Sequence, residues 1–105
     1  MMELPERTPE QRQLDLAAAA AVRQARKNIK RDLKDGRIDL EHAIALPVMR
    51  RVRVRDLIRA LPGVGEVAAD EAMRELSIAE NRRVQGLGAN QLAGLLEWWD
   101  GRNKK

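Results

Sequence analysis

One long amphipathic pattern near the start of the chain constrains the fold more than any other feature. Residues 8–11, Thr-Pro-Glu-Gln, predict a helix start, because the threonine can cap the first amides, proline fits the first turn and glutamine completes a capping box. Gly36 predicts the stop. Between these signals, apolar residues recur at steps of three and four and form one stripe: Leu14, Ala18, Val22, Ala25, Ile29 and Leu33. The sequence therefore predicts one long helix with an apolar packing face.

Basic residues of the same helix are predicted to lie on its other side. At about 100° per residue, this basic face would carry Arg23, Arg26, Lys27, Lys30 and Lys34. With the short leader before it, the helix forms a first segment, residues 1–36. The packing face requires a partner surface, which the rest of the chain must supply.

The remaining residues predict short helices and no sheet. Hydrophobic residues make up 44% of the chain but aromatic residues only 2%, so the core must consist of aliphatic side chains. Asp39 can cap a short helix that Pro47 ends, and residues 48–53 predict an extended connector. Apolar spacing then predicts three further helices, over residues 54–60, 66–76 and 89–99.

We therefore expect an all-α fold in one structural domain. Its long N-terminal helix precedes a compact region, residues 37–100, of helix-two-turns-helix or helix-hairpin-helix type, and residues 101–105 predict a frayed basic tail.

The 105 residues contain no cysteine and one histidine, which excludes a disulfide framework and thiol catalysis. With no nucleophile–base pair, metal-ligand set or nucleotide fingerprint, we expect no enzyme, metal or cofactor. The start of the chain lacks an export signal and no run is long enough to span a membrane, so we expect a cytoplasmic protein.

The first candidate site is the turn Leu-Pro-Gly-Val-Gly at residues 61–65. Gly63 and Gly65 would permit a tight turn, and the amides opening the next helix would form a phosphate site. The alternative is a plain two-glycine turn between packed helices. Glu66 follows at once, and its carboxylate repels phosphate unless it turns back to cap its own helix. We therefore expect this hairpin to bind weakly or to act mainly as scaffold.

The second candidate site combines paired arginines, glycines and a helix start in residues 82–91. Amides at residues 86–90 could meet one phosphate, and the two guanidinium groups would supply charge and forked donors. Two polar side chains could add hydrogen bonds to phosphate or sugar. The residues of this site are Arg82, Arg83, Gly86, Gly88, Asn90 and Gln91.

A third candidate is a run of five arginines with a single acid among them. The charge of the whole chain is only +4, so its clustering carries more weight than its sum. In an extended connector, alternation would place Arg51, Arg53 and Arg55 on one side. Such a run can track a phosphate backbone, for which we favour Arg53 and Arg55, and a solvated charged edge is the alternative. The full run is Arg50, Arg51, Arg53, Arg55 and Arg59.

Together these segments resemble a known family. Residues 54–91 carry the hairpin string at 61–65 and Arg-Arg-Val-Gln-Gly-Leu-Gly at 82–88, and they are similar to the helix-two-turns-helix region of actinobacterial (mycobacterial-type) integration host factor. The likeness extends back to Leu-Pro at residues 4–5 and Thr-Pro-Glu-Gln-Arg at residues 8–12. Residues in the second candidate site match the family's second-turn motif, and both hairpin glycines match the hairpin.

Three departures from the family pattern are visible. Residues 37–49 are shorter than the family's equivalent, and Arg50 stands where the family often has glycine. Glu66 occupies a position where lysine is common, so the hairpin has a carboxylate in place of that cation. The family shares only a name with the β-armed heterodimeric host factors, so their strand-mediated mechanism does not transfer.

The resemblance implies a nucleoid-associated, architectural protein that binds double-stranded DNA with little sequence preference. It also implies DNA compaction or assistance to phage site-specific integration, in a nucleoprotein complex with an integrase. We expect a chain that is monomeric when free and located in the nucleoid. Phosphate contacts fix position but carry little sequence information, which agrees with weak specificity.

Two other classes of function remain open at this point. Residues 82–88 also resemble the turn of a small-subunit ribosomal protein of the S13 type, which would make RNA the partner. Such proteins usually have a long basic tail, whereas this chain ends at Gly-Arg-Asn-Lys-Lys. A helical protein–protein adaptor is the second alternative, and the low net charge is its best support.

Overall fold

The computed structural model describes residues 8–103, and these residues form five α-helices. Single 3₁₀ turns precede the third and the last helix, at Pro47–Met49 and Val84–Gly86. The described residues contain no β-strand, only an isolated antiparallel bridge between Arg53 and Arg83. The all-α prediction is confirmed. The helices are α1 (Pro9–Lys34), α2 (Leu40–Ala45), α3 (Val54–Arg59), α4 (Glu66–Glu75) and α5 (Ala89–Asn103).

Both ends of α1 form as predicted from the sequence. The Gln11 amide N–H donates to Thr8 Oγ1 and the Thr8 N–H donates to Gln11 Oε1, each over 3.1 Å, which completes the capping box. At the other end Gly36 adopts a left-handed φ of +75°. The Arg37 N–H then donates to the Asp32 carbonyl over 2.8 Å, closing the helix end as a Schellman motif. The leader that precedes residue 8 lies outside the described residues.

The apolar stripe of α1 packs over only part of its length, which corrects the sequence expectation. Every residue from 9 to 24 is exposed, and Leu14 keeps 70% of its surface in solvent. Burial begins around Ala25 and is complete at Leu33. The reason is length: a helix of 26 residues extends about 39 Å, and the elements that pack against it, α2 and the 3₁₀ turn Pro47–Met49, are too short to cover it, so that only its C-terminal part is buried.

Arg26 does not lie on an exposed basic face, contrary to the prediction. Its side chain is half-buried, and Nε donates to the Val48 carbonyl over 2.9 Å, which fastens α1 to the first 3₁₀ turn. Arg26 precedes the buried Leu33 by seven residues, and two such positions differ by only about 20° around a helix. Lys30 is also half-buried. The exposed basic face is therefore narrower than predicted.

The core is mainly aliphatic, as the composition predicted, and α3 contributes three fully buried side chains to it. Val54, Leu57 and Ile58 of that short helix have no measurable exposure. Trp99 closes the core at one edge with 8% exposure, while Trp98 is half-buried beside it. The largest fully buried side chains are Leu33, Leu40, Met49, Leu57, Ile58, Leu61, Leu95 and Val54.

The connector before α3 is not an extended strand as predicted. Asp39 does cap α2, accepting from the His42 N–H over 2.8 Å, but Pro47 opens a 3₁₀ turn because its ring fixes φ near the helical value. Only around Arg53 does the backbone become extended. Arg55 lies in the first turn of α3, so the predicted single row of alternate arginines does not form.

The last helix is longer than predicted. We expected an end at Trp99 and a frayed tail from Gly101, but α5 continues to Asn103. Arg102 contributes to this extension, because its guanidinium stacks over the Trp98 ring at 5.7 Å and donates to the Gly63 carbonyl at 3.4 Å. The two final lysines of the predicted tail lie outside the described residues.

Candidate nucleic-acid interface

Two segments far apart in sequence lie side by side in the structure. The Val84 N–H donates to the Val52 carbonyl, and the Val54 N–H donates to the Arg82 carbonyl, both over 2.9 Å. The Gln85 N–H donates to the Arg50 carbonyl over the same distance. Around Arg53 and Arg83 the backbone is extended, which sends successive side chains to opposite sides. The valines are therefore buried, and the arginines that alternate with them are exposed.

This pairing brings together the backbone of two segments that carry five arginines, and we call these five residues the arginine patch. All five side chains belong to exposed residues. The ion pairs among residues 8–103 use other arginines, so no carboxylate of these residues lies within 4.0 Å of a guanidinium nitrogen of the patch. The charge is therefore available to an anionic partner. The patch consists of Arg50, Arg51, Arg53, Arg82 and Arg83.

We call the candidate site at residues 82–91 the second turn, and its two arginines are held in place by backbone carbonyls. Arg82 Nη1 donates to the Gly86 carbonyl over 3.0 Å, and Arg83 Nη1 donates to the Arg51 carbonyl. A guanidinium has five N–H donors, so most remain for a ligand. Arg82 also lies against the turn itself, because a Cβ added to Gly86 would come within 3.1 Å of its Cδ.

The start of α5 presents backbone amides next to the patch. The Leu92 N–H donates to the Gly88 carbonyl over 2.9 Å as the first helical bond, so the amides of Ala89 and Asn90 have no partner within the helix. Asn90 is exposed. The partial positive charge of a helix N-terminus and nearby guanidinium groups form a suitable environment for a phosphate.

Gln91 was predicted to contact phosphate or sugar, and the structure gives its side chain other partners. Its Oε1 accepts from the Gly88 N–H over 3.1 Å, and its Nε2 donates to the Ser77 carbonyl over 3.0 Å. Both hydrogen-bonding ends of the side-chain amide are therefore engaged with protein backbone.

The turn at residues 61–65, which we call the first turn, has the predicted hairpin geometry. Gly63 has a φ of +74°, which favours glycine, and its carbonyl accepts from Arg102. Gly65 is the N-cap of α4, and no side chain caps the first amides of that helix. Both glycines are exposed, and a Cβ at either position would meet no atom within 4 Å. The turn therefore leaves its backbone open to an approaching ligand.

Glu66 neither stands alone nor turns back to cap its own helix. Its Oε1 lies 3.3 Å from Arg59 Nη1, so the carboxylate forms an ion pair with α3. Both side chains keep more than half of their surface in solvent. The pair reduces the repulsion that Glu66 would exert on a phosphate, and it also occupies Arg59.

Arg55, one of the two arginines favoured from the sequence, lies in a strong contact with α4. Its Nε donates to Asp70 Oδ1 over 2.8 Å. This hydrogen bond raises the pKa of Arg55 and, with the attraction of the guanidinium charge, holds the pKa of Asp70 below its usual value. Arg55 therefore joins α3 to α4, whereas Arg53 belongs to the arginine patch.

Sequence reasoning did not foresee that Arg50 and Arg51 would join the paired arginines of the second turn. The available signal was the string Arg-Arg-Val, which occurs at residues 50–52 and again at residues 82–84. Within residues 8–103, no three His, Cys, Asp or Glu side chains are grouped so as to hold a metal ion. No helix among the described residues is long and apolar enough to cross a membrane.

Comparisons with known proteins place these features in a family. The family model of the S13-like H2TH domain matches residues 24–99, which include the turn at residues 61–65 and the turn at residues 82–91. The integration host factor of Streptomyces coelicolor is 44% identical over 98 residues, covering 90% of this chain and 92% of that protein. The integration host factor of Mycolicibacterium smegmatis is 44% identical over 103 residues, covering 94% and 98%. That of Mycobacterium tuberculosis is 44% identical over 100 residues, covering 91% and 95%.

A solved structure resembles the fold as well. It is described as sIHF bound to an 8bp palindromic DNA, and it superposes with a TM-score of 0.74 at 40% sequence identity. The match covers 78% of this chain and 97% of that one. The similarity in sequence and in fold therefore agrees with the resemblance drawn from the residues.

Proposed function

Since this chain belongs to the integration host factor family of S13-like H2TH domain proteins, we propose that it is an architectural protein that binds double-stranded DNA with little sequence specificity. The observation that carries the proposal is the arginine patch, whose cations form no ion pair with a carboxylate of residues 8–103 and lie in segments next to the open amides at the start of α5. The DNA in the related solved structure supports the choice of partner.

We propose that the second turn supplies most of the binding, through phosphate contacts. Arg82 and Arg83 would donate to backbone oxygens of the duplex, and the amides after Gly88 would hold one phosphate. Arg53 adjoins them, and Asn90 would add a hydrogen bond. These groups contact no base edge in the proposal, so the expected sequence preference is weak.

The first turn would act as a weaker, second contact. Gly63 and Gly65 expose backbone amides at the start of α4, and the Arg59 pair moderates the charge of Glu66. Arg55, although favoured from the sequence, would contribute mainly by keeping α3 and α4 together. Binding at this turn would require DNA to approach a surface that carries both signs of charge.

In the cell, this activity would place the protein in the nucleoid of the cytoplasm. DNA compaction is the role that fits weak specificity best, and assistance to phage site-specific integration, in a complex with an integrase, is the second role that the family suggests. The proposal takes the free protein as a monomer and requires no enzymatic activity, metal or cofactor.

A gel-shift series with two duplexes of unrelated sequence tests the proposal. Because phosphate contacts dominate, the dissociation constants for the two duplexes should agree within about tenfold. The logarithm of the association constant should fall linearly with the logarithm of the salt concentration, and we call the steepness of this fall the salt slope. A preference of about 10³-fold or more for one sequence would show that base readout dominates, which contradicts the proposed grip.

RNA is the second candidate partner, because the matching family model is S13-like. Structured RNA should compete with duplex DNA for the same arginines if it binds at the same turn. In a competition assay at fixed salt, we expect duplex DNA to displace RNA at lower concentration. Preferential retention of RNA would transfer the proposed function to RNA binding.

A further inference from the structure

The side-chain amide of Gln91 connects the two ends of the loop between α4 and α5. Its Nε2 donates to the Ser77 carbonyl at the loop start, and its Oε1 accepts from the Gly88 N–H at the loop end. We call this pair of hydrogen bonds the clasp. A half-buried side chain thus holds backbone groups that lie on either side of the second turn.

The Ser77 end of the clasp is a fixed point. Ser77 adopts a left-handed φ of +54° immediately after α4. Its N–H donates to the Arg74 carbonyl, and the N–H of the buried Ile78 donates to the Met73 carbonyl over 2.9 Å. These bonds form a Schellman motif on a non-glycine residue. The Ser77 carbonyl is therefore oriented by the helix end rather than by the loop.

The Gly88 end has fewer constraints of its own. The middle of the loop is hydrogen-bonded to the segment before α3, through Val84 and Gln85, but Gly86 and Gly88 are both exposed. Glycine also loses more conformational freedom on folding than any other residue. The Gly88 bond to Gln91 restrains this part of the turn directly in front of the open amides.

From this geometry we propose that Gln91 is a positioning residue for the phosphate site and not a phosphate ligand. The proposal rests on the proposed function of the second turn. By anchoring Gly88 to the end of α4, Gln91 fixes the direction of the Ala89 and Asn90 amides relative to Arg82. The clasp also occupies the Gly88 N–H, so an anion cannot bind it. The amides of Ala89 and Asn90, at the start of α5, remain as the ligands.

The variant Gln91→Met tests the clasp, because methionine keeps the length of the side chain and lacks both hydrogen bonds. In the free protein, NMR should show faster hydrogen exchange at the Gly88 amide, while circular dichroism keeps the helical content. Duplex affinity should fall about threefold to tenfold, the range expected for one or two modest hydrogen bonds. Gln85→Met, in the same exposed loop, is the matched control and should leave Gly88 exchange unchanged. Unchanged exchange in Gln91→Met would overturn the proposal.

A double-mutant cycle with Arg82→Ala separates positioning from direct contact. If Gln91 acts by orienting the turn, its effect on affinity should shrink in the Arg82→Ala background, where that turn contributes less. An effect of the same size in both backgrounds would indicate an independent contact with DNA and would overturn the positioning role. Failure of the wild type to bind duplex in a salt-dependent way would instead reject the proposed function, and the exchange measurement would still test the clasp.

Discussion

Single side chains in this protein have local partners that determine how far their charge is available to a ligand. Arg55 and Arg59 belong to the same sequence run as Arg53, yet both are paired with carboxylates of α4. Arg53 has no such partner among the described residues. The density of arginines along the sequence is therefore a poor guide to the charge that faces a ligand, since it does not reveal which cations the fold neutralises.

Glu66 provides a prediction at this scale. Glu66→Lys removes the partner of Arg59 and adds a cation at the first turn, so duplex binding should tighten and the salt slope should increase by about 0.9 for each added phosphate contact. Glu66→Gln, which only frees Arg59, should lie between the wild type and Glu66→Lys. Fluorescence anisotropy across a salt series measures both quantities. A Glu66→Lys variant with wild-type affinity and slope would place the first turn away from DNA.

At the scale of elements, the contact between α3 and α4 should depend on pH. Bonding to Arg55 lowers the pKa of Asp70 in the folded protein, so the pair stabilises the fold above the unfolded pKa of Asp70 and this contribution is lost as pH falls through the folded value. Asp70→Asn should therefore melt below the wild type at pH 7, and the gap should narrow below about pH 4. Thermal melts from pH 7 to pH 3 measure the gap. Glu71→Gln is the control, and a gap that widens on acidification would contradict the assignment.

The two parts of α1 should respond differently to the same substitution. Ile29 packs against the core, whereas Leu14 is 70% exposed. Ile29→Asp should destabilise the whole domain by about 1–3 kcal/mol, because it puts an unpaired carboxylate at a packed position. Such a loss lowers the melting temperature by roughly 4 °C or more per kcal/mol in a domain of this size. Leu14→Asp adds the same charge in solvent and should melt like the wild type. Equal decreases in melting temperature for the two variants would show that the apolar stripe of α1 is buried along its whole length.

Local signals predicted the helices well, because caps and stops act within a few residues. The capping box at Thr8, the left-handed Gly36 and the Asp39 cap all form as predicted. The end of α5 was misplaced because Arg102 makes contacts with Trp98 and Gly63 that a local pattern does not contain. A stripe likewise says which face is apolar but not how far a partner surface reaches along it.

At the scale of the whole molecule, the candidate site depends on contacts that bring distant segments together. The bond from Arg83 to the Arg51 carbonyl spans 32 positions in the sequence. Sequence patterns identified each turn and each arginine run separately, and only the fold joins Arg50 and Arg51 to the second turn. The same fold brings Gln91 Nε2 to the Ser77 carbonyl, 14 positions away, which helical spacing alone could not reveal.

The central claim is that the second turn, with its arginines, is the main grip on DNA. The most direct measurement is the salt dependence of duplex binding for the wild type and for Arg82→Ala combined with Arg83→Ala. Removing two ionic contacts should weaken binding and lower the salt slope by roughly 2, at about 0.9 per neutralised phosphate. Arg37→Ala combined with Arg74→Ala removes the same charge outside the patch and should leave the slope close to the wild-type value. A folded Arg82 and Arg83 double variant that binds with wild-type affinity and slope would contradict the claim.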